Sequence, residues 1–234
     1  MASTKTVANA VTRAQNELKG ITLSDTDALD FANEIYQIVG TATFFDWRQA
    51  TGTTFGTTAD TQDYANVPSD FAALKPDRVY IQDDAVSTNP LIPLTVFESL
   101  PKATQPRSRP QWISVENGSF RLLPVPNITR SVSGQWAVKF EYWKRPQRLT
   151  ATTDTFEFDD VCFETFASGM VARAAKFLDD ARAGTWGGRS PITSQFQGTG
   201  MWGEFAAQLN NMVAQESLAS GVVIYAPTEG LLRG

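Results

Sequence analysis

The stretch Trp136–Thr150, WAVKFEYWKRPQRLT, restricts the fold more than any other part of this sequence. Ala137, Lys139, Glu141 and Trp143 alternate with Trp136, Val138, Phe140 and Tyr142, the period-two pattern of a half-buried strand. Pro146 ends it: proline brings no amide proton to a sheet ladder and pushes Arg145 into extended backbone, so the chain leaves the sheet there. The sequence before this point reads as largely β and the sequence after it as helical. The first fifty residues also read as helical, which predicts a sheet inserted into a helical chain.

Four helices are expected. Val7, Ala10, Val11, Ala14 and Leu18 fall at helical spacing within Thr6–Lys19, and Gly20 is a natural stop. Ser24 then stands as an N-cap with Asp25 and Asp27 in the first turn, ahead of an apolar stripe of Phe31, Ile35, Ile38, Val39 and Ala42 that ends in the aromatic knot Phe44, Phe45 and Trp47. After the proline break, an acidic lead-in precedes a long helix from Asp159 to Ala183 lined by Val161, Phe163, Phe166, Met170, Val171, Ala174 and Phe177. Met201–Ala219 forms the fourth, through Phe205, Leu209, Met212, Val213 and Leu218. Between these last two lies GTWGGRSPITSQFQGTG, residues 184–200, whose five glycines and one proline predict a mobile loop carrying Trp186 and Arg189 rather than an element.

From Thr51 the composition turns to Thr, Gly and Asp with no helical period, and short strands are expected. Asp77–Asp83 reads as one, and Pro90–Glu98 as another broken by Pro93. Pro101–Pro110 holds three prolines and reads as an exposed basic loop. Trp112–Val115 and Ser119–Leu123 flank Asn117-Gly118, a pair that tolerates the positive backbone angles of a tight hairpin turn. The fold class expected from all this is α+β: an antiparallel bundle of about four helices from residues 1–50 and 151–220, an inserted antiparallel β-sandwich or barrel-like domain at 51–150, and an extended tail at 221–234.

Several chemistries are excluded or unsupported. The chain has no histidine, so no Ser-His-Asp or Cys-His arrangement is possible and zinc loses its commonest ligand. The single cysteine, Cys162, permits no intrachain disulfide and sits among apolar neighbours as a core thiol. The carboxylate pairs Asp83-Asp84, Asp159-Asp160 and Asp179-Asp180 are adjacent in sequence and point apart, as acids at helix ends and turns do. A glycosidase would instead need two carboxylates facing each other across a cleft. No glycine-rich phosphate loop occurs, and no catalytic residue, metal or cofactor is assigned. The N-terminus MASTKTVANA has no apolar signal core, and no run of about 18 apolar residues is present to span a bilayer.

Formal charge is −5, which does not suit a dedicated nucleic-acid binder, yet the distribution is uneven. Residues 1–100 carry 6 basic and 13 acidic groups, residues 101–148 carry 9 and 2, and residues 149–234 carry 5 and 10. A basic middle between acidic flanks suggests either a solvated face or a contact surface.

The order of these pieces resembles the head-to-tail connector (adaptor) proteins of tailed bacteriophages, including the tail tubular A type of short-tailed phages. ALDFANEIYQIV (residues 28–39) with FFDW (44–47), then YANVPSDF (64–71), the hairpin SVENGSFRLLPVP (114–126), FEYWKRPQRLT (140–150) and FEFDD (156–160) before a long helix carry the likeness across most of the chain. The resemblance implies a virion structural protein assembled in the host cytoplasm, with no enzymatic step and no membrane. It implies a ring of about twelve copies of the chain, with partners in the portal protein, a tail or nozzle protein, and genomic DNA that passes through the ring without sequence recognition. Under that expectation Lys102, Arg107, Arg109, Lys144, Arg145 and Arg148 form a charged face between subunits. Val222, Val223, Ile224 and Tyr225, with Leu231 and Leu232, form a tail segment that adds a strand to an exposed sheet edge on the portal or a neighbouring subunit. The alternative is a carbohydrate- or receptor-binding virion module, which requires a row of exposed Trp on one sheet face for sugar stacking.

Overall fold

The computed structural model describes residues 4–19, 21–82, 91–102, 107–127 and 136–220. The fold is α+β. The chain divides into two compact units, one from residues 1–47 and 146–234, the other from Arg48–Arg145.

The first unit contains four α-helices, α1 (Val7–Glu17), α2 (Asp25–Thr41), α3 (Asp160–Phe177) and α4 (Gly200–Ser220). Their starts follow from local chemistry. Ser24 Oγ accepts the Asp27 N–H, and Asp159 accepts that of Cys162, each satisfying a donor the helix cannot satisfy itself. The α4 start has no such side chain. Instead the N–H groups of Met201 and Trp202 donate to the carbonyls of Arg182 and Ala183. The start of α1 is fastened to the segment before α3, where Val7 and Ala8 donate to Asp154 and Thr152, and Thr4 to the Asp160 carboxylate.

The core of this unit is aromatic. Phe156 and Phe158 of the FEFDD run are both buried, two residues apart, and stack with ring centroids 4.7 Å apart. Phe156 also meets Phe166 at 4.4 Å and Tyr36 at 5.6 Å, and Tyr36 stacks on Trp47. Of the aromatic knot expected after α2, Phe45 is buried and Trp47 half-buried, but Phe44 is 51% exposed.

The expected long third helix stops early. It ends at Phe177, and Asp179 takes a left-handed turn (φ 53°), so residues 178–183 form a turn held by Asp180 and Arg182. The segment expected as a structureless mobile loop is a β-hairpin, described below with its neighbours.

The second unit holds β1 (Gln49–Thr51), β2 (Asp63–Tyr64), β3 (Phe71–Gln82), β4 (Leu91–Pro93), β5 (Thr95–Val96), β6 (Trp112–Glu116), β7 (Ser119–Leu123) and β8 (Ala137–Lys144). They form two four-stranded sheets, ordered β1-β8-β3-β4 and β2-β7-β6-β5. Neither sheet closes on itself. The Asn117-Gly118 turn has φ of 50° and 74° and joins β6 to β7 in the register expected. One pair departs from the antiparallel expectation: β5 runs parallel to β6. Strand β3 is also longer than Asp77–Asp83. Its pairing with β8 slips between Leu74 and Val79, a bulge that accommodates Pro76. Phe55, Phe120, Phe140, Val79, Ile81 and Ile113 form the shared core of these strands, with Phe120 and Phe140 at 4.7 Å edge to face.

Back in the first unit, β9 (Trp186–Arg189) and β10 (Phe196–Gly198) make the two-stranded sheet that replaces the expected loop. Its anchors lie outside the segment. Asn210, halfway along α4, accepts the Phe196 N–H at 2.8 Å and donates to the Phe196 carbonyl at 2.9 Å, and Trp186 packs against Phe196, Trp202 and Phe205.

Candidate assembly surfaces

The basic residues singled out by sequence do not share one environment. Arg107 pairs with Asp60 at 2.9 Å, and the Lys102 ammonium lies 3.9 Å from Asp63. Arg109 is half-buried. Lys144 ends β8, and its carbonyl accepts the Arg48 guanidinium at 2.7 Å. Arg145 and Arg148 are exposed, but Arg145 closes the second unit and Arg148 belongs to the first. Counted by folded unit, residues 48–145 carry 11 basic and 9 acidic groups, whereas the helical unit carries 9 and 16. The basic middle of the sequence is therefore folded among the acids of residues 60–77, and the strong charge is the negative one of the helical unit.

The most constrained ion pair was not singled out. Arg121 on β7, its side chain only 13% exposed, grips Asp63 of the neighbouring β2 through Nε (2.7 Å) and Nη2 (3.3 Å) and donates to the Leu100 carbonyl at 3.0 Å. Glu116 stands 3.9 Å away and itself accepts the Leu100 N–H, which holds its carboxyl below the usual range. The sequence signal was the cross-strand register of Asp63 with Arg121, visible only once β2 is recognised. Arg121→Ala is expected to lower unfolding free energy by about 2 kcal/mol, with little recovery in Arg121→Lys because an ammonium cannot span both carboxylate oxygens. A denaturant midpoint unmoved in the alanine variant would show that the pair contributes nothing.

Three further carboxylates are tied to local structure. Asp154 accepts the N–H groups of Thr150 and Ala151, which hold its carboxyl below the ordinary range. The Arg182 guanidinium and N–H hold Asp180 down to about 2. Glu216 on α4 is raised, chiefly by burial and further by Asp46 and Asp159, although it accepts the Asp46 N–H. The signs oppose. Asp154 and Asp180 add stability above their unfolded pKa that is lost as pH falls through their folded values. Glu216 adds stability below its unfolded pKa that is lost as pH rises through its folded one. Melting temperature is therefore expected to peak at mildly acidic pH and to fall between about pH 4 and pH 2. A profile that is level down to pH 2 would contradict this.

Burial pushes the Cys162 thiol up to about 12, so it is no thiolate at neutral pH. Among the described residues no group of three or more acids and cysteines is placed to hold a metal ion, and no helix is long and apolar enough to cross a membrane. Asp83-Asp84 and the tail residues Val222, Val223, Ile224, Tyr225, Leu231 and Leu232 lie outside the described residues. The groove between the β9–β10 hairpin and α4, of about 580 Å³, is lined by no titratable side chain. None of the six Trp is exposed: Trp136 and Trp202 are buried and the other four are half-buried. Among the described residues the most exposed large apolar side chain is Ile192, 89% exposed at the hairpin tip.

No curated protein matches the chain. A family model does: that of the SU10 adaptor protein matches residues 5–222, spanning every helix and strand described above. With that match running through both units, the protein belongs to the SU10 adaptor family, structural proteins of the phage head-to-tail junction.

Proposed function

We propose that the chain is one subunit of a homo-oligomeric ring, of about twelve copies, joining the portal to the tail and leaving a channel for the genome. The observation that carries this reading is the family match across residues 5–222. We take the helical unit as a bundle, the β unit as an inserted sandwich-like domain, and residues 221–234 as a docking tail. The portal binds on one side of the ring and a tail or nozzle protein on the other. The net negative charge of the helical unit suits a surface past which DNA slides, since few counterions are released from the phosphates. Arg145 and Arg148, both exposed, supply the charged contacts between subunits. The sugar-binding alternative loses its support, because no Trp is exposed for stacking.

The test is the mass of the purified protein in solution, alone and mixed with the portal of its phage. A stoichiometric ring complex on mixing supports the reading, and a monomer indifferent to the portal opposes it. Deleting residues 222–234 is expected to leave the melting temperature unchanged and to abolish joining to the portal. Undiminished joining by the truncated chain would sink the docking role of the tail.

A further inference from the structure

The acids of the helical unit are unevenly placed. The unit carries 16 acidic groups, yet residues 183–215, the β9–β10 hairpin and most of α4, hold one acid, Glu204, and one base, Arg189. Two copies of so negative a unit repel each other, so a contact between copies is least opposed where carboxylates are missing. Arg189 and Glu204 are both exposed, and neither has an ion pair among the described residues. The Arg189 Nε donates to the Ser194 carbonyl at 2.8 Å, which keeps this side chain on the hairpin.

The hairpin tip is built to hold its shape. Ser190 Oγ accepts the N–H groups of Ile192 and Thr193, each at 3.3 Å. The Ser190 N–H donates to the Gln195 carbonyl at 2.8 Å, and the Ser194 N–H to the Ser190 carbonyl at 2.9 Å. Pro191 fixes its own φ. On this frame Ile192 stands 89% exposed. A rigid turn that holds a β-branched apolar side chain in water gains nothing for its own fold. It does remove the ordering cost of burying that side chain in a partner.

The same unit contains a receptor for such a side chain. The groove between the hairpin and α4, about 580 Å³, is walled by Phe196, Ala206 and Ala207 and by the backbone of Gly187, Gly198 and Gly203. Its lining carries no charge, as the tip sequence Ser190–Gln195 carries none, and the exposed Glu204 follows Gly203 at the rim. Ile192 of the same chain does not fill it, since that side chain stands in solvent. We infer that the Ile192 tip of one copy inserts into the hairpin–α4 groove of a second copy, with Arg189 of the first meeting Glu204 of the second. Knob and groove occupy different places on one chain, so the contact is head-to-tail, the type that closes into a ring. The inference rests on the ring reading above and gives it a joint.

The test mixes full-length chains with the portal and follows the mass of the assembly. Ile192→Asp is expected to keep the parental melting temperature, because the side chain is exposed, and to weaken assembly at least tenfold. Glu204→Arg weakens it about threefold, and adding Arg189→Glu to the same chain restores it. Contact is read directly in a Cys162→Ala background, by pairing an Ile192→Cys copy with a separately tagged Ala207→Cys copy under a short bifunctional maleimide. A covalent dimer joining the two tags is expected, absent when either variant is alone. A ring of normal mass from Ile192→Asp, with no joined dimer, would overturn the joint and leave the ring reading standing. A double variant no better than Glu204→Arg would overturn the Arg189–Glu204 contact. Joining of Ile192→Cys to the portal alone would assign the tip to the portal and overturn the joint also. No assembly by the parent chain would remove the ring reading and this joint together.

Discussion

Phe156→Ala is expected to lower the unfolding free energy by about 4 kcal/mol, a large part of the total stability of an ordinary domain. The ring is 1% exposed and touches Tyr36, Phe158, Phe163 and Phe166, which come from α2, α3 and the segment leading into α3. Truncation leaves a cavity whose walls cannot collapse, because each neighbouring ring is held by others: Tyr36 by Trp47 and Phe158 by Phe166. Phe156→Leu retains much of the volume and should cost less than half as much. Denaturant unfolding at matched slope measures both. A loss below about 1 kcal/mol for the alanine variant would mean that the aromatic cluster is not the packing centre of the helical unit.

Gly184→Ala is expected to detach the β9–β10 hairpin from the start of α4, at a cost of about 3 kcal/mol. Gly184 has φ of 70°, where a side chain is strained, and a Cβ there would overlap the Thr199 carbonyl oxygen. That oxygen cannot yield. Thr199 donates its own N–H to the Thr185 carbonyl, and the next residue, Gly200 (φ 58°), is so close that a Cβ on it would crowd the Gly184 nitrogen at 3.0 Å. The two glycines thus allow the base of the hairpin and the first turn of α4 to lie against each other. The expected signature is local before it is global: cleavage by protease within residues 185–199 at a concentration that spares the parent chain, with α4 still protected in hydrogen exchange. An uncut variant with a parental melting temperature would refute the packing argument.

The parts of this fold that were legible in the sequence are those decided within a few residues. Ser24 and Asp159 marked helix starts because a cap acts on amides three positions away. Asn117-Gly118 marked the hairpin because the turn needs positive φ at both positions. The β9–β10 hairpin was illegible because its stability comes from distant residues: its strands, WGGR and FQG, carry one aromatic each and no apolar alternation, and Asn210 and Trp202 hold it from α4. The Asn210-Asn211 pair beside Leu209 on a helix was the only sign. The parallel β5–β6 pair was hidden for the opposite reason, since a strand as short as Thr95–Val96 carries no record of direction. The ion pairs were hidden too, since a count of charges along the sequence cannot anticipate that Asp60 and Asp63 fold back against Arg107 and Arg121.

The second unit begins and ends at one place. Gln49 lies opposite Trp143, and the Arg48 side chain bonds to the carbonyl of Lys144, so the strand that enters is paired with the strand that leaves. For the helical unit, everything from Arg48 to Arg145 is then equivalent to a tight turn between Trp47 and Pro146. Pro146 is itself seated against α2, where its ring fills the space that a side chain on Gly40 would need and its carbonyl accepts from Gln37. A unit stitched shut in this way is a cassette. It can be removed, lengthened or exchanged for another sheet with adjacent ends while the helices close over the same gap, so the sheets can diverge without the helical core being rebuilt.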